Sequence, residues 1–420
     1  MTGIAMPSRA VGPACRACGA GLVHTFVDLG MSPLANAYLT ADQLAKPEVF
    51  YPLHVWVCDA CLLVQLEEFE SPEHIFADYA YFSSFSESWL AHARSYVEQV
   101  TARFGLDART QVVELASNDG YLLQYFHARG VPVLGIEPAA NVARAAVERG
   151  IPTEVRFFGL AAGRDLAARG IRPKLLLGNN VLAHVPDLND FVAGMQALLA
   201  PDGVVTMEFP HLERLMAENQ FDTIYHEHFS YFSFVAVERV FARHGLTLFD
   251  VEELPTHGGS LRIYARHAAH TALPVGPRVE ALRAHELAAG FGRLEHYLTF
   301  EPQVRRTKLA LLEFMLGAKR AGRSVVGYGA AAKGNTLLNY CGIGRDLLDY
   351  VVDRSPHKQD HFLPGTHVPI HHPDRVRETR PDFLLILPWN LKDEIMGQMA
   401  HIRAWGGRFV VPIPEAAVLA

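Results

Sequence analysis

The chain has 420 residues, half of them apolar and a fifth charged, and a formal net charge of −7. This length exceeds one ordinary core and implies two or three domains, and the composition is that of a globular protein rather than a disordered or fibrous one. Basic residues form no block, which argues against nucleic acid as a partner. The longest apolar runs, such as Phe383–Leu387, fall far short of the roughly 20 residues a bilayer span needs, so no membrane partner is expected. Met1–Val11 carries one Arg and no apolar stretch, so no signal peptide is predicted and the expected compartment is the cytoplasm.

In chain order, residues 12–72 read as short strands between turns. They hold Cys15-x-x-Cys18 and Cys58-x-x-Cys61, while Cys341 stands alone and reads as a core residue. A reducing compartment keeps thiols free, so paired C-x-x-C motifs point to a metal rather than to disulfides. Two pairs supply the four thiolates of tetrahedral zinc, and with every position filled by protein the ion is expected to be structural. Tyr51–Val57 alternates as a strand that delivers Cys58, and Ser86–Phe104 has apolar residues at helical spacing.

From Gln111 the pattern changes to strands separated by helices, which predicts a parallel sheet covered on both faces. QVVELA, VPVLGIEP, PKLLLGNN and GVVTMEFP are the strands; GYLLQYFHARG and DLNDFVAGMQALLA are helices. Leu246–Glu253 and Gly259–Arg266 read as a strand pair, antiparallel, closing that sheet. Residues 276–321 are helical and charged. RSVVGYGA, LLDYVVD, DFLLILP and GRFVVPIP then supply four strands of a second, smaller α/β unit. The fold class is α/β, with domains expected over 12–72, 73–275 and 276–415.

Three groups of residues carry candidate chemistry. In Val112–Phe126 a strand with acidic Glu114 runs into a loop of small residues, Ala116, Ser117, Asn118 and Gly120, and then a helix. The next strand ends in Glu137-Pro138, and the third in Asn179-Asn180 with His184 following. A carboxylate at the second strand end accepts ribose hydroxyls, and the loop before a helix N-terminus admits a ligand to the backbone. This pattern fits an adenosine-type ligand and does not by itself separate NAD from S-adenosylmethionine. The second group, in FDTIYHEHFSYFS, gathers Tyr225, His226, Glu227, His228 and Tyr231. Histidine moves protons near neutral pH, and H-E-x-x-H, the metalloprotease pattern, is absent. The third is GYGAAAKGNT, with Gly329, Lys333 and Asn335. It reads as a phosphate-binding turn without the G-K-[ST] ending of a nucleotide hydrolase. Asp353 follows the next strand; Trp389 reads as a base-stacking platform or as core; and His257 precedes two glycines that would let backbone approach a substrate.

Val112–Pro138 followed by GNNVLAHVPDL resembles the class I methyltransferases, with Ala116 and Asn118 standing where small, glycine-type positions are usual. Nearly the whole chain resembles the sugar C-methyltransferases that act on nucleotide-linked keto-deoxysugars in antibiotic and polysaccharide biosynthesis. The segments that carry this are CRACG, DLGMSPLANAYL, YPLHVWVCDACLLVQLEEF, DYAYFSSFSESWLAHA, ELASNDGYLLQ, NNVLAHVPDL, YHEHFSYFS, HGGSLRIYA, GYGAAAKGNTLLNY and LPWNLKDEI. The resemblance implies an N-terminal zinc-binding domain, a central methyltransferase domain that binds S-adenosylmethionine, and a C-terminal Rossmann-like domain completing a nucleotide-sugar site. It implies His228 as general base, with Glu227, Tyr225 and Tyr79 (in DYAYFSS) positioning it or bonding the developing oxyanion. It places Lys333 and its turn beside the sugar nucleotide's diphosphate. The expected reaction is methylation next to the ketone, at carbon 3, of a thymidine-diphosphate sugar by a monomeric enzyme. The rivals are an NAD(P)-dependent sugar dehydrogenase or epimerase, a non-catalytic zinc-containing binding protein, and a nucleic-acid methyltransferase.

Overall fold

Alternation sets the first sheet. In the computed structural model, which describes residues 12–71 and 82–419, strands β1 (His24–Ser32), β2 (Tyr51–Val57) and β3 (Val64–Leu66) pair antiparallel. The inward side chains of β2 are Leu53, Val55 and Val57, all buried. At one end of this sheet each cysteine pair closes a tight turn: Gly19 N donates to the Cys15 carbonyl, and Leu62 N to that of Cys58. The Sγ atoms of Cys15 and Cys61 lie 3.5 Å apart, as do those of Cys18 and Cys58, and all four fall within 4.8 Å of one another. A tetrahedron with Zn–S near 2.3 Å has S···S edges of about 3.8 Å. The four thiols therefore fit a structural zinc ion with no position left open.

The second sheet takes strands β4 (Val112–Leu115), β5 (Val133–Glu137), β6 (Thr153–Val155), β7 (Leu175–Asn179) and β8 (Val204–Pro210), all parallel. The chain then makes a two-residue strand β9 (Ser230–Tyr231) that leaves this sheet and pairs with β3 of the first. It returns as the antiparallel pair β10 (Leu246–Leu254) and β11 (Ser260–His267), giving the order β10-β11-β8-β7-β4-β5-β6. Strand order reverses beside β4, so the ligand crevice of such a sheet lies outside the carboxyl ends of β4, β5 and β7. Helix Glu87–Phe104 packs Trp89, Ala93, Tyr96, Val97 and Val100 inward; Ser86 Oγ caps it by accepting from Trp89 N. The helix expected over 120–130 is confined to Leu123–His127. Gly120 at φ 75° first closes a turn on the Ser117 carbonyl, which delays the helix.

The third sheet has six strands: β12 (Val325–Tyr328), β13 (Val351–Val352), β14 (Ile370–His371), β15 (Phe383–Ile386), β16 (Arg408–Val411) and β17 (Ala417–Leu419). Their order is β14-β13-β12-β15-β16-β17, with only β17 antiparallel. Four strands were expected. Strands β14 and β17 have two and three residues, too few for an alternation to register. Helix Pro277–Ala289 packs on β10 and buries Val279 and Leu282 in the central core. Helix Phe300–Arg320 instead lies against β1, where Phe300 stacks on Phe26 with ring centres 4.7 Å apart. The zinc-binding and C-terminal units thus share one apolar core. Among the described residues no helix is long and apolar enough to cross a membrane.

Because that core rests on a sheet clamped by cysteines, Cys58→Ser is expected to abolish zinc binding and lower Tm, read by elemental analysis and thermal melting. A variant that keeps one zinc per chain and an unchanged Tm contradicts the four-thiolate site.

Candidate active site

The carboxyl ends of β4, β5 and β7 converge on one crevice. Ala116 and Asn118 adopt left-handed backbone, φ 54° and 50°, as does Asn180 at 55°. A side-chain-bearing residue there costs about 1–2 kcal/mol, a strain that marks functional loops. The loop keeps a glycine-like path although two of its residues are not glycine. Glu137 is buried, and its carboxylate accepts from Asn118 N at 2.9 Å and Ala139 N at 2.8 Å. Burial pushes its pKa up against those two bonds, and each oxygen retains a lone pair for a hydroxyl. Glu114 is fully buried, with neither oxygen partnered among the described residues, and burial pushes its pKa well above the ordinary value. Ser117 Oγ, Asn179 Nδ2 and Asn180 Oδ1 also lack partners among the described residues. Pro138 is half-buried beside Glu137. Orphaned polar atoms around a strained loop fit an adenosyl ligand carrying an amino-acid group, the form of S-adenosylmethionine, and Glu137 is the carboxylate that would hold its ribose.

Facing this crevice is a group of histidines. His228 Nδ1 lies 2.8 Å from the Thr223 carbonyl oxygen. A carbonyl only accepts, so Nδ1 carries the hydrogen and Nε2 presents a free lone pair. His184 stands edge-on to His228 with ring centres 4.7 Å apart, and Tyr225 covers it at 4.1 Å. Burial holds His228 well below the ordinary histidine range and lowers His184 to about 4. His257 is also lowered to about 4 by burial, with the Lys333 charge assisting. It adopts φ 56°, and its Nε2 accepts from Asn180 Nδ2 at 2.8 Å. Gly258 follows at φ 92°, where a Cβ would sit 2.9 Å from Trp389 Cη2. That glycine lets the central domain close against the C-terminal one.

The remaining members of the Y-H-E-H segment point elsewhere. His226 is buried against the zinc-binding unit, its Nε2 3.2 Å from the Pro52 carbonyl and its ring 5.7 Å from that of Tyr51. Glu227 accepts from Asn36 Nδ2 at 2.6 Å instead of orienting His228, and burial raises its pKa. Tyr231, in β9, is buried with its ring 6.3 Å from His228. Tyr79 lies outside the described residues.

The C-terminal side is more closed than its glycine turn suggests. Asp353 accepts from Ala330 N at 2.7 Å and from Ser355 N at 2.8 Å, so a carboxylate already holds the amide a phosphate would take. The Ala330 carbonyl accepts from Lys358 Nζ and from Tyr38 OH. Gly329, φ 93°, packs on Pro388. Asn335 is buried and donates to the Ala35 carbonyl, which ties its helix, Ala332–Cys341, to the zinc-binding unit rather than to open cleft. Trp389 is buried as core: its Nε1 donates to Asp222 Oδ2 at 2.8 Å, and Lys333 Nζ sits 4.8 Å above its ring. Asp222, Asn36 and Tyr38 were not singled out in the sequence, although they lie inside FDTIYHEHFSYFS and DLGMSPLANAYL.

Family models and a curated relative together cover nearly the whole chain. Family models match residues 15–76 (zinc binding domain), 89–251 (methyltransferase domain) and 255–414 (C-methyltransferase C-terminal domain). The C-methyltransferase NovU of Streptomyces niveus is 37% identical over 405 residues, covering 96% of each chain. Among solved structures, the PH0226 protein of Pyrococcus horikoshii OT3 aligns with TM-score 0.38 and 14% identity, over 47% of this chain and 100% of that one. Magnesium protoporphyrin IX methyltransferase of Synechocystis PCC 6803 aligns with TM-score 0.33 and 13% identity, over 46% and 90%. The chain therefore belongs to the C-methyltransferase family, as an S-adenosylmethionine-dependent enzyme with a zinc-binding domain at its N-terminus.

Proposed function

We propose that this enzyme methylates a carbon beside the ketone of a nucleoside-diphosphate 4-keto-deoxysugar, with His228 as the general base. The observation that carries this reading is the Thr223 carbonyl bond, which fixes the His228 tautomer and leaves Nε2 unshared in a desolvated cleft. Carbon is a poor nucleophile until a proton is removed, and a neighbouring ketone makes that removal possible by taking the charge on oxygen. The family resemblance and the match to a C-methyltransferase support the acceptor class; the seam between the central and C-terminal domains is the proposed seat of the nucleotide. Thymidine diphosphate is the first nucleotide to test.

In this reading His228 Nε2 takes the proton, the C–H pair becomes a C=C bond, and the carbonyl π pair moves to oxygen. Tyr225 holds the imidazole face, and Tyr79 is proposed to face the sugar. S-adenosylmethionine, seated by the β4, β5 and β7 loops, supplies an electrophilic methyl group. Bound there, it would give its methyl to the enolate carbon, the enolate pair forming the C–C bond as the C–S pair returned to sulfur. Glu137 and the strained loop hold the partners at attack distance, where orientation lowers the barrier.

His228→Ala is expected to lower kcat about 10²–10⁴-fold and to leave S-adenosylhomocysteine affinity unchanged by calorimetry; full turnover in the variant removes His228 as the base. The pH dependence follows from burial. Desolvation disfavours the imidazolium, so His228 remains an unprotonated base as pH falls through about 6.5, the ordinary histidine value. The acid limb of kcat/KM is therefore expected below that value, and a limb at pH 7 or above contradicts a desolvated base. Carbon NMR of the product is expected to place the methyl on carbon 3; a methyl on carbon 5, which also flanks a 4-ketone, corrects the position and keeps the chemistry.

A further inference from the structure

We propose that Lys333 is the cation that receives the negative charge developing on the acceptor's carbonyl oxygen, a role distinct from contact with a diphosphate. The proposal rests on the keto-sugar reading above. Lys333 is the second residue of helix Ala332–Cys341, and its side chain reaches the segment that follows β15. Its Nζ donates to Asn390 Oδ1 at 2.9 Å and lies 4.8 Å above the Trp389 ring. An ammonium has three donors, so Asn390 leaves two for a ligand.

Its surroundings lead back to the base. Trp389 Nε1 bonds Asp222, and the next residue, Thr223, supplies the carbonyl that holds His228. Lys333 and His228 each bond a different protein group; after burial the ammonium charge is what most lowers His257, and it is the least of the causes that hold His228 down. A ligand lying between base and cation is the arrangement proton abstraction beside a ketone requires. Asp222 balances the charge: it is fully buried, its Oδ1 has no partner among the described residues, and Lys333 opposes the effect of burial on its pKa. The glycine turn, by contrast, has its Ala330 amide taken by Asp353 and its carbonyl by Lys358 and Tyr38.

The chemistry needs such a group. A base as weak as a desolvated histidine removes a proton from carbon only where the product charge is stabilised. A cation fixed near the oxygen, in a site that excludes water, stabilises the transition state more than the ground state. In the step, the proton ends on His228 Nε2 and the π pair on the oxygen beside Lys333. When the C–C bond forms, the oxygen regains its double bond and the ammonium is released unchanged.

The test is steady-state kinetics of the full chain with a thymidine-diphosphate 4-keto-6-deoxyhexose and S-adenosylmethionine, on Lys333→Met and Lys333→Arg. The expected result is a kcat lower by about 10²–10³-fold in Lys333→Met, an acceptor KM close to that of the unmodified enzyme, and substantial kcat restored by Arg. S-adenosylhomocysteine affinity monitors the fold, and Lys333→Arg decides alone if the Met variant loses that affinity. A raised KM with kcat retained means a diphosphate contact and overturns the proposal, as does unchanged turnover in Lys333→Met or a folded Arg variant without activity. An unmodified enzyme that methylates no such sugar overturns the keto-sugar reading itself, and this proposal with it.

Discussion

The geometry of the site depends on the pairing of Ser230–Tyr231 with β3. The segment before that strand, Phe221–Phe229, leaves the central sheet after β8 and is drawn across to a sheet whose ends are fixed by two cysteine pairs. His226 turns into that sheet against Pro52, Glu227 meets Asn36, and only His228 is left facing the cofactor crevice. The sheet that carries the four cysteines thus sets where His228 stands. The alternation of partners along one short stretch explains how three consecutive polar residues, His226, Glu227 and His228, come to have three different surroundings.

Burial then sets the chemistry. Three histidines in one cleft are all held below their ordinary range by desolvation. The cost of charging any of them favours a free base at neutral pH. Lys333 and Asp222 are shifted in opposite senses, the ammonium down and the carboxyl up. Burial drives both shifts, because each charge loses hydration. Each partner opposes the shift of the other, so the pair keeps the seam between the domains close to neutral. Such a site interacts strongly with new charge because the medium around it does not screen it.

Much of this was legible in the sequence, and the rest has identifiable reasons for being hidden. Metal ligands in local C-x-x-C pairs announce themselves, and so do strands of four or more residues between helices; β2, β4, β5, β7 and β8 follow the pattern closely. Strands of two or three residues, such as β9, β14 and β17, carry no period. The contacts that shape the site join distant positions: Asn36 with Glu227 across 191 residues, and Asp222 with Trp389 across 167. No local pattern predicts either one. Nor does a turn such as GYGAAAK reveal that Asp353 occupies its amide, since an empty and a filled phosphate turn share the same glycines. The left-handed conformations of Ala116 and Asn118 show the converse case, in which a backbone path survives the loss of the residue type that usually marks it.

The central claim is proton removal beside a ketone by His228, and isotope exchange reads that step without methyl transfer. The enzyme, saturated with S-adenosylhomocysteine and incubated in D2O with a thymidine-diphosphate 4-keto-6-deoxyhexose, is predicted to place deuterium at one carbon next to the ketone. His228→Ala is predicted to place none above the uncatalysed rate. Exchange at equal rates in both proteins, or no exchange by an unmodified enzyme that methylates the same sugar once S-adenosylmethionine replaces S-adenosylhomocysteine, contradicts the account.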